Sequence, residues 1–179
     1  MQPENSIGYW LSYAQRCFLS AFSEVLRKQC AECGKAYVIT PPQWGILSFV
    51  AQEQGLTISA LAQRLGVDAP VVTNIVQRLE QSDLIERVRD REDQRLVKVS
   101  LSEEGQEMVR LLQPVFETFQ EQLLPSQERQ AFLEDLQQFV ARASPLIPES
   151  AGRFGSLRNH LENRRAGKYL KREEQADDI

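Results

Sequence analysis

Residues 57–105 read TISALAQRLGVDAPVVTNIVQRLEQSDLIERVRDREDQRLVKVSLSEEG, and their apolar spacing changes from a helical to a strand period along the way. Ile58, Leu61, Ala62 and Leu65 recur at helical spacing behind Thr57, whose hydroxyl suits an N-cap. Gly66 falls where a left-handed residue closes a helix. Asp68 is placed to cap a second helix. Pro70 is tolerated in its first turn, where the N–H that proline lacks would have no intrahelical partner. In that second helix Val72, Ile75, Val76 and Leu79 share one face, and Thr73, Asn74, Gln77 and Arg78 share the other. Amides, a hydroxyl and a guanidinium on an outer face can read base edges or hold phosphates in a major groove.

Leu84–Val88 and Leu96–Leu101 are rich in β-branched residues and read as two strands. The loop between them, Arg89-Asp90-Arg91-Glu92-Asp93-Gln94-Arg95, is too polar to bury, so the pair reads as a hairpin wing. A basic wing tip suits a minor groove, where the negative potential favours arginine. Leu56-Thr57-Ile58 is a candidate third strand. The run Arg87, Asp90, Asp93-Gln94-Arg95, Val99-Ser100-Leu101 and Gly105 resembles the wing signature of the multiple antibiotic resistance regulator (MarR) family. Thr73–Glu80 with Leu84-Ile85 resembles its recognition helix, and the resemblance covers residues 7 to about 142. It implies a transcription regulator that dimerises through its terminal helices. It also implies that Asp93 orients Arg95 for entry into the minor groove.

The 179 residues suit one globular domain, or one with an appendage, and 42% hydrophobic content supports a folded core. A formal charge of −4 does not advertise nucleic-acid binding. Residues 56–100 hold seven Lys/Arg and seven Asp/Glu, so a DNA reading rests on where the charges stand rather than on their sum. The first ten residues lack the basic and apolar segments of a secretory signal, and no run is long and apolar enough for a membrane span. Three cysteines do not make a secreted disulfide framework. A reducing cytoplasm is the expected home.

The remaining segments read as helices around that centre. Residues 6–34 carry one long apolar stripe capped by Asn5 or Ser6 and closed by Gly34, and residues 102–143 carry two more helices. Ser102 and Ser126 are their expected caps, and Pro114 is expected to kink the first of the two. Together these segments are the expected dimerisation region. Thr40 before Pro41-Pro42 opens a helix of the winged helix-turn-helix domain, residues 40–101. Residues 144–179 form an extension. In it Arg153, Arg158, Arg164, Arg165, Lys168, Lys171 and Arg172 precede an acidic end that is expected to fray. The expected fold class is mainly α, a winged helix-turn-helix with a small β-hairpin wing and a helical dimerisation layer.

Within that frame Thr73, Asn74 and Gln77 are expected at base edges. Ala69, Pro70 and Val71 are expected at thymine methyls or sugars. Thr57, Arg64 and Arg78 are phosphate candidates. Arg95, braced by Asp93, is the minor-groove residue, with Arg89 and Arg91 near the backbone. The expected partners are a pseudo-palindromic DNA operator, a second copy of the chain and a small aromatic effector. Trp10, Tyr13, Trp44 and Phe49 are candidates for the effector's cleft, with plain core packing as the alternative. Cys30 and Cys33 form a single Cys-x-x-Cys, which lacks the four ligands of a structural zinc site. They also stand near a helix C-terminus, where the dipole disfavours a thiolate. Cys17 is expected to pack in its helix. The reactive cysteine of the family's peroxide-sensing branch falls on Gly8 here. No metal, cofactor or nucleophile–base set is expected, which leaves a winged-helix protein-interaction module as the alternative function.

Overall fold

The structure is a computed structural model and describes residues 2–35, 37–89 and 96–147. Among the described residues, six α-helices and three strands follow a short 3-10 turn at Pro3–Asn5 in the order α1 (Ile7–Glu32), α2 (Pro41–Gln52), β1 (Leu56–Thr57), α3 (Ile58–Leu65), α4 (Ala69–Gln81), β2 (Ile85–Arg89), β3 (Val97–Leu101), α5 (Glu103–Leu123) and α6 (Ser126–Ala143). A second 3-10 turn, Ser144–Leu146, closes the described chain. The expected fold class holds. The third strand is real but only two residues long. It pairs with β3 through Leu56↔Val99 and Thr57↔Lys98, giving an antiparallel sheet of order β1-β3-β2.

Local chemistry accounts for the helix ends. Thr57 Oγ1 accepts from the Ala60 N–H at 3.1 Å, and Gly66 closes α3 at φ 66°, ψ 33°. Ser102 Oγ likewise accepts from the Gly105 N–H at 3.0 Å and starts α5. At α2 the Gln43 side chain reaches back to Thr40, accepting from its N–H and its hydroxyl, each at 2.9 Å. Two expected caps differ. Asp68 holds the N-cap position of α4 without a side-chain cap bond. Ser126 is the first residue of α6 rather than its cap, because Pro125 takes the N-cap place and the Glu121 carboxylate accepts the Ser126 N–H. Pro114 lies inside α5, which remains helical to Leu123.

The core gathers Phe22, Leu26 and Cys30 of α1, Trp44, Ile46, Leu47 and Val50 of α2, Leu61, Val72, Val76 and Leu79 of α3 and α4, Ile85 and Val99 of the sheet, and Met108, Leu112 and Phe119 of α5. Phe22 stacks on Phe119 with ring centroids 5.2 Å apart and also meets Phe116. The first half of α1 stays outside this core: Ile7, Trp10, Leu11, Tyr13, Phe18 and Leu19 are exposed in the protomer. None of α6 is buried, and Phe132, Leu133 and Phe139 are exposed. Cys17 is exposed rather than packed, because it belongs to the part of α1 that the protomer leaves uncovered. The Cys30/Cys33 pair is split between core and surface. Among the described residues no helix is long and apolar enough to cross a membrane, and no His/Cys/Asp/Glu cluster could hold a metal ion.

Candidate nucleic-acid interface

The α4 helix is held by its apolar stripe. Val72, Val76 and Leu79 are fully buried and Ile75 is half-buried, so Val71, Thr73, Asn74, Gln77 and Arg78 are all turned outward. Pro70 is exposed and Ala69 half-buried at the helix start. Each buried aliphatic side chain contributes about 1.5–3 kcal/mol, which fixes the rotation of α4 and hence the direction of its polar face. Thr73 donates its hydroxyl to the Ala69 carbonyl at 2.9 Å.

The wing is attached directly to this helix. The α4 helix ends with Asp83 at φ 57°, the left-handed conformation that lets the Leu84 N–H return to the Leu79 carbonyl at 2.9 Å. The chain then enters β2, which pairs with β3 from Ile85↔Leu101 to Arg89↔Val97. A further clamp comes from α5. The Ser102 N–H donates to the Leu84 carbonyl, and Gly105 lies so close that a Cβ there would stand 2.0 Å from that same oxygen. This close approach gives the glycine of the wing signature a steric reason. Arg89 ends β2, exposed. Arg91, Asp93 and Arg95 lie outside the described residues.

Of the phosphate candidates, Arg64 is more engaged than the sequence implied, and Thr57 caps α3 as expected. Arg64 bonds the Glu53 carboxylate and sits 5.8 Å over the Phe49 ring, with only 14% of its side chain exposed. A phosphate would have to share or draw off that guanidinium. Thr57 Oγ1 accepts its capping bond, and its O–H can still donate to a phosphate. Arg78 is exposed on the same side of α4 as Asn74 and Gln77.

The four aromatic candidates fall into different settings. Trp10 and Tyr13 meet edge-on at 6.2 Å in an exposed cluster with Tyr9, and the Trp10 indole donates to the Glu4 carbonyl. Trp44 is buried and packs on Phe116 at 5.8 Å, while Phe49 lies under Arg64. Helical spacing cannot separate these environments, since both tryptophans sit on apolar stripes.

Three contacts had no local signal in the sequence. Arg87 of β2 pairs with Glu80 of α4 at 2.6 Å. Gln54 accepts from the Leu101 N–H. Glu104, in the first turn of α5, accepts from both Lys35 and Tyr37. The Lys35 and Tyr37 bonds hold the Glu104 carboxyl below its ordinary pKa, and the Glu104 bond raises Lys35. Burial, then the bond to Glu104, pushes Tyr37 up to about 12.

Comparison with known proteins agrees with this geometry. The family model described as MarR family matches residues 39–96, which run from the approach to α2 to the edge of β3. The HTH-type transcriptional regulator SarZ of Staphylococcus epidermidis is 30% identical over 145 residues, covering 79% of this chain and 95% of SarZ. Among solved structures, the PcaV transcriptional regulator of Streptomyces coelicolor, in complex with its natural ligand, superposes with a TM-score of 0.68 at 23% identity. That match covers 80% of this chain and 97% of PcaV. The transcriptional repressor CouR, bound to a 23-mer DNA duplex, gives a TM-score of 0.64 at 23% identity over 76% of this chain and 93% of CouR. Fold, wing signature and a relative matched over nearly its whole length agree: the chain belongs to the MarR family of transcriptional regulators.

Proposed function

We propose that this chain is a homodimeric, sequence-specific DNA-binding repressor that acts in the cytoplasm by binding rather than by catalysis, and that a small-molecule signal releases it. The observation that carries the reading is the outward polar face of α4, with Thr73, Asn74, Gln77 and Arg78 exposed above a fully buried stripe. Asn74 and Gln77 present amides to base edges, and Ala69, Pro70 and Val71 meet thymine methyls or sugars. Arg78 and Arg89 hold phosphates, with Thr57 and Arg64 at the margin of the contact. At the wing tip Arg95, oriented by Asp93, enters the minor groove, with Arg91 near the backbone.

Residues 6–34 and 102–143 serve as the dimer layer, supported by the exposed apolar residues of α1 and α6. Two-fold symmetry then calls for a pseudo-palindromic operator with half-sites about one helical turn apart. A small aromatic effector would meet the exposed Trp10 and Tyr13, while Trp44 and Phe49 of α2 pack against Phe116 and Arg64. It releases DNA only if it prefers a dimer whose α4 helices have a different spacing. That PcaV was solved with its natural ligand and CouR with DNA supports both parts of the reading. The names of the relatives weigh against the protein-interaction module.

The test is to capture genomic fragments on the purified protein and titrate an enriched duplex by fluorescence anisotropy. Asn74→Ala with Gln77→Ala should cost roughly 30-fold or more in affinity, from about 1–3 kcal/mol for each good amide–base contact. Arg95→Ala should weaken binding strongly while the dimer persists. Equal retention of all fragments, without salt dependence, would refute the reading.

A further inference from the structure

Beyond Ile85 the wing leaves the core. Leu84 and Ile85 are buried, whereas Glu86, Arg87, Val88 and Arg89 are exposed. The β2–β3 ladder keeps the two strands in register with each other. It does not by itself set the angle at which this ribbon stands from α4. Arg87 follows Ile85 by two residues, so it lies on the strand face that looks toward the helix. From there its Nη2 reaches Oε2 of Glu80, the next-to-last residue of α4, at 2.6 Å.

The position of Glu80 is otherwise unfavourable. A carboxylate in the last turn of a helix opposes the helix dipole. Close to a DNA-contacting surface it also repels phosphates. Each side chain of the pair is about one-third exposed, at 34% and 36%, so the attraction adds little to the stability of the fold. What the pair does is join the exposed part of β2 to the helix that faces the major groove.

We propose that Glu80 and Arg87 are positioning residues for DNA binding: their ion pair fixes the wing against α4, so that the wing tip reaches the minor groove while α4 occupies the major groove. The inference rests on the DNA-binding reading above and concerns the same surface. Glu80 touches no DNA and acts through Arg95.

This assignment predicts an effect of opposite sign to simple electrostatics. Glu80→Gln removes a negative charge near phosphates and on that ground alone should tighten binding. If the wing angle depends on the pair, it weakens binding instead, by about fivefold, the upper end of what a partly exposed ion pair supplies. The experiment titrates the enriched genomic duplex by anisotropy with wild type, Glu80→Gln, Arg95→Ala, the double variant Glu80→Gln/Arg95→Ala, and the swapped pair Glu80→Arg/Arg87→Glu. Thermal melting of every variant confirms folding. Glu80→Gln should weaken binding in the wild-type background and have little further effect once Arg95 is gone. The swapped pair should recover affinity to within about threefold of wild type at unchanged net charge. Unchanged or tighter binding by Glu80→Gln, or losses that simply add to those of Arg95→Ala, overturns the inference while the DNA-binding reading stands. Wild-type protein that retains no duplex overturns both. If the swapped pair fails to fold, the Glu80→Gln/Arg95→Ala cycle decides alone.

Discussion

The winged region and the terminal helices treat their apolar residues in opposite ways. Between Ile39 and Leu112 the stripes of α2, α3, α4 and the sheet close on each other, and most of the large aliphatic side chains there, Ile46, Leu47, Leu61, Leu79 and Leu84 among them, are buried within one protomer. The α6 helix buries nothing, and α1 is buried only from Phe22 onward, leaving Trp10 56% exposed and Phe132 52% exposed. The same helical periodicity therefore describes two situations. One face is satisfied by its own chain. The other is left open by its own chain, and the proposed dimer would cover it.

The difference can be broken by truncation. Leu79→Ala, inside the closed core, should lower unfolding free energy by about 4 kcal/mol in denaturant titration, at any protein concentration. Phe132→Ala should instead change stability in a concentration-dependent way and shift sedimentation toward the monomer. A concentration-independent loss for Phe132→Ala as large as that for Leu79→Ala would mean that α6 is held within the protomer. Next in size is Gly105→Ala, which forces a methyl group into the Leu84 carbonyl. It should cost about 3 kcal/mol of stability, because backbone rather than a flexible side chain must move.

The smallest effect belongs to the link between the α1–α2 connection, at Lys35 and Tyr37, and α5. Because the folded Glu104 pKa is depressed, its contribution is present above its ordinary value of 4.5 and is lost as pH falls through the lower folded value. Because the folded Lys35 pKa is raised, its contribution is complete below 10.5 and is lost as pH climbs through the higher folded value. Glu104→Gln should therefore flatten the acid limb of the melting-temperature profile and leave most of the neutral plateau in place. An acid limb identical to that of wild type would show that other carboxylates set it.

The features legible in the sequence were those with local causes. Thr57 and Ser102 cap, Gly66 turns left-handed, and the stripe of α4 sets its polar face, each within a few residues of its partner. Contacts between distant elements carried no such mark. Nothing near Arg64 announces Glu53 and Phe49, nor does anything near Arg87 announce Glu80. Asp83 adopts a conformation usually left to glycine, so the end of α4 is visible only in the backbone. Trp10 and Trp44 show the same limit. Both sit at helical spacing, and only tertiary packing decides which is covered: Phe116 of α5 lies on Trp44, whereas Trp10 stays exposed.

Thr73 gives its hydroxyl hydrogen to the Ala69 carbonyl. Toward solvent it is left with lone pairs and a methyl group. A side chain in that state welcomes an exocyclic amine, on cytosine or adenine, or the methyl of thymine, and has nothing to offer the two acceptors of guanine. In the proposed contact, the helix's own backbone thus biases which letter of an operator this position tolerates.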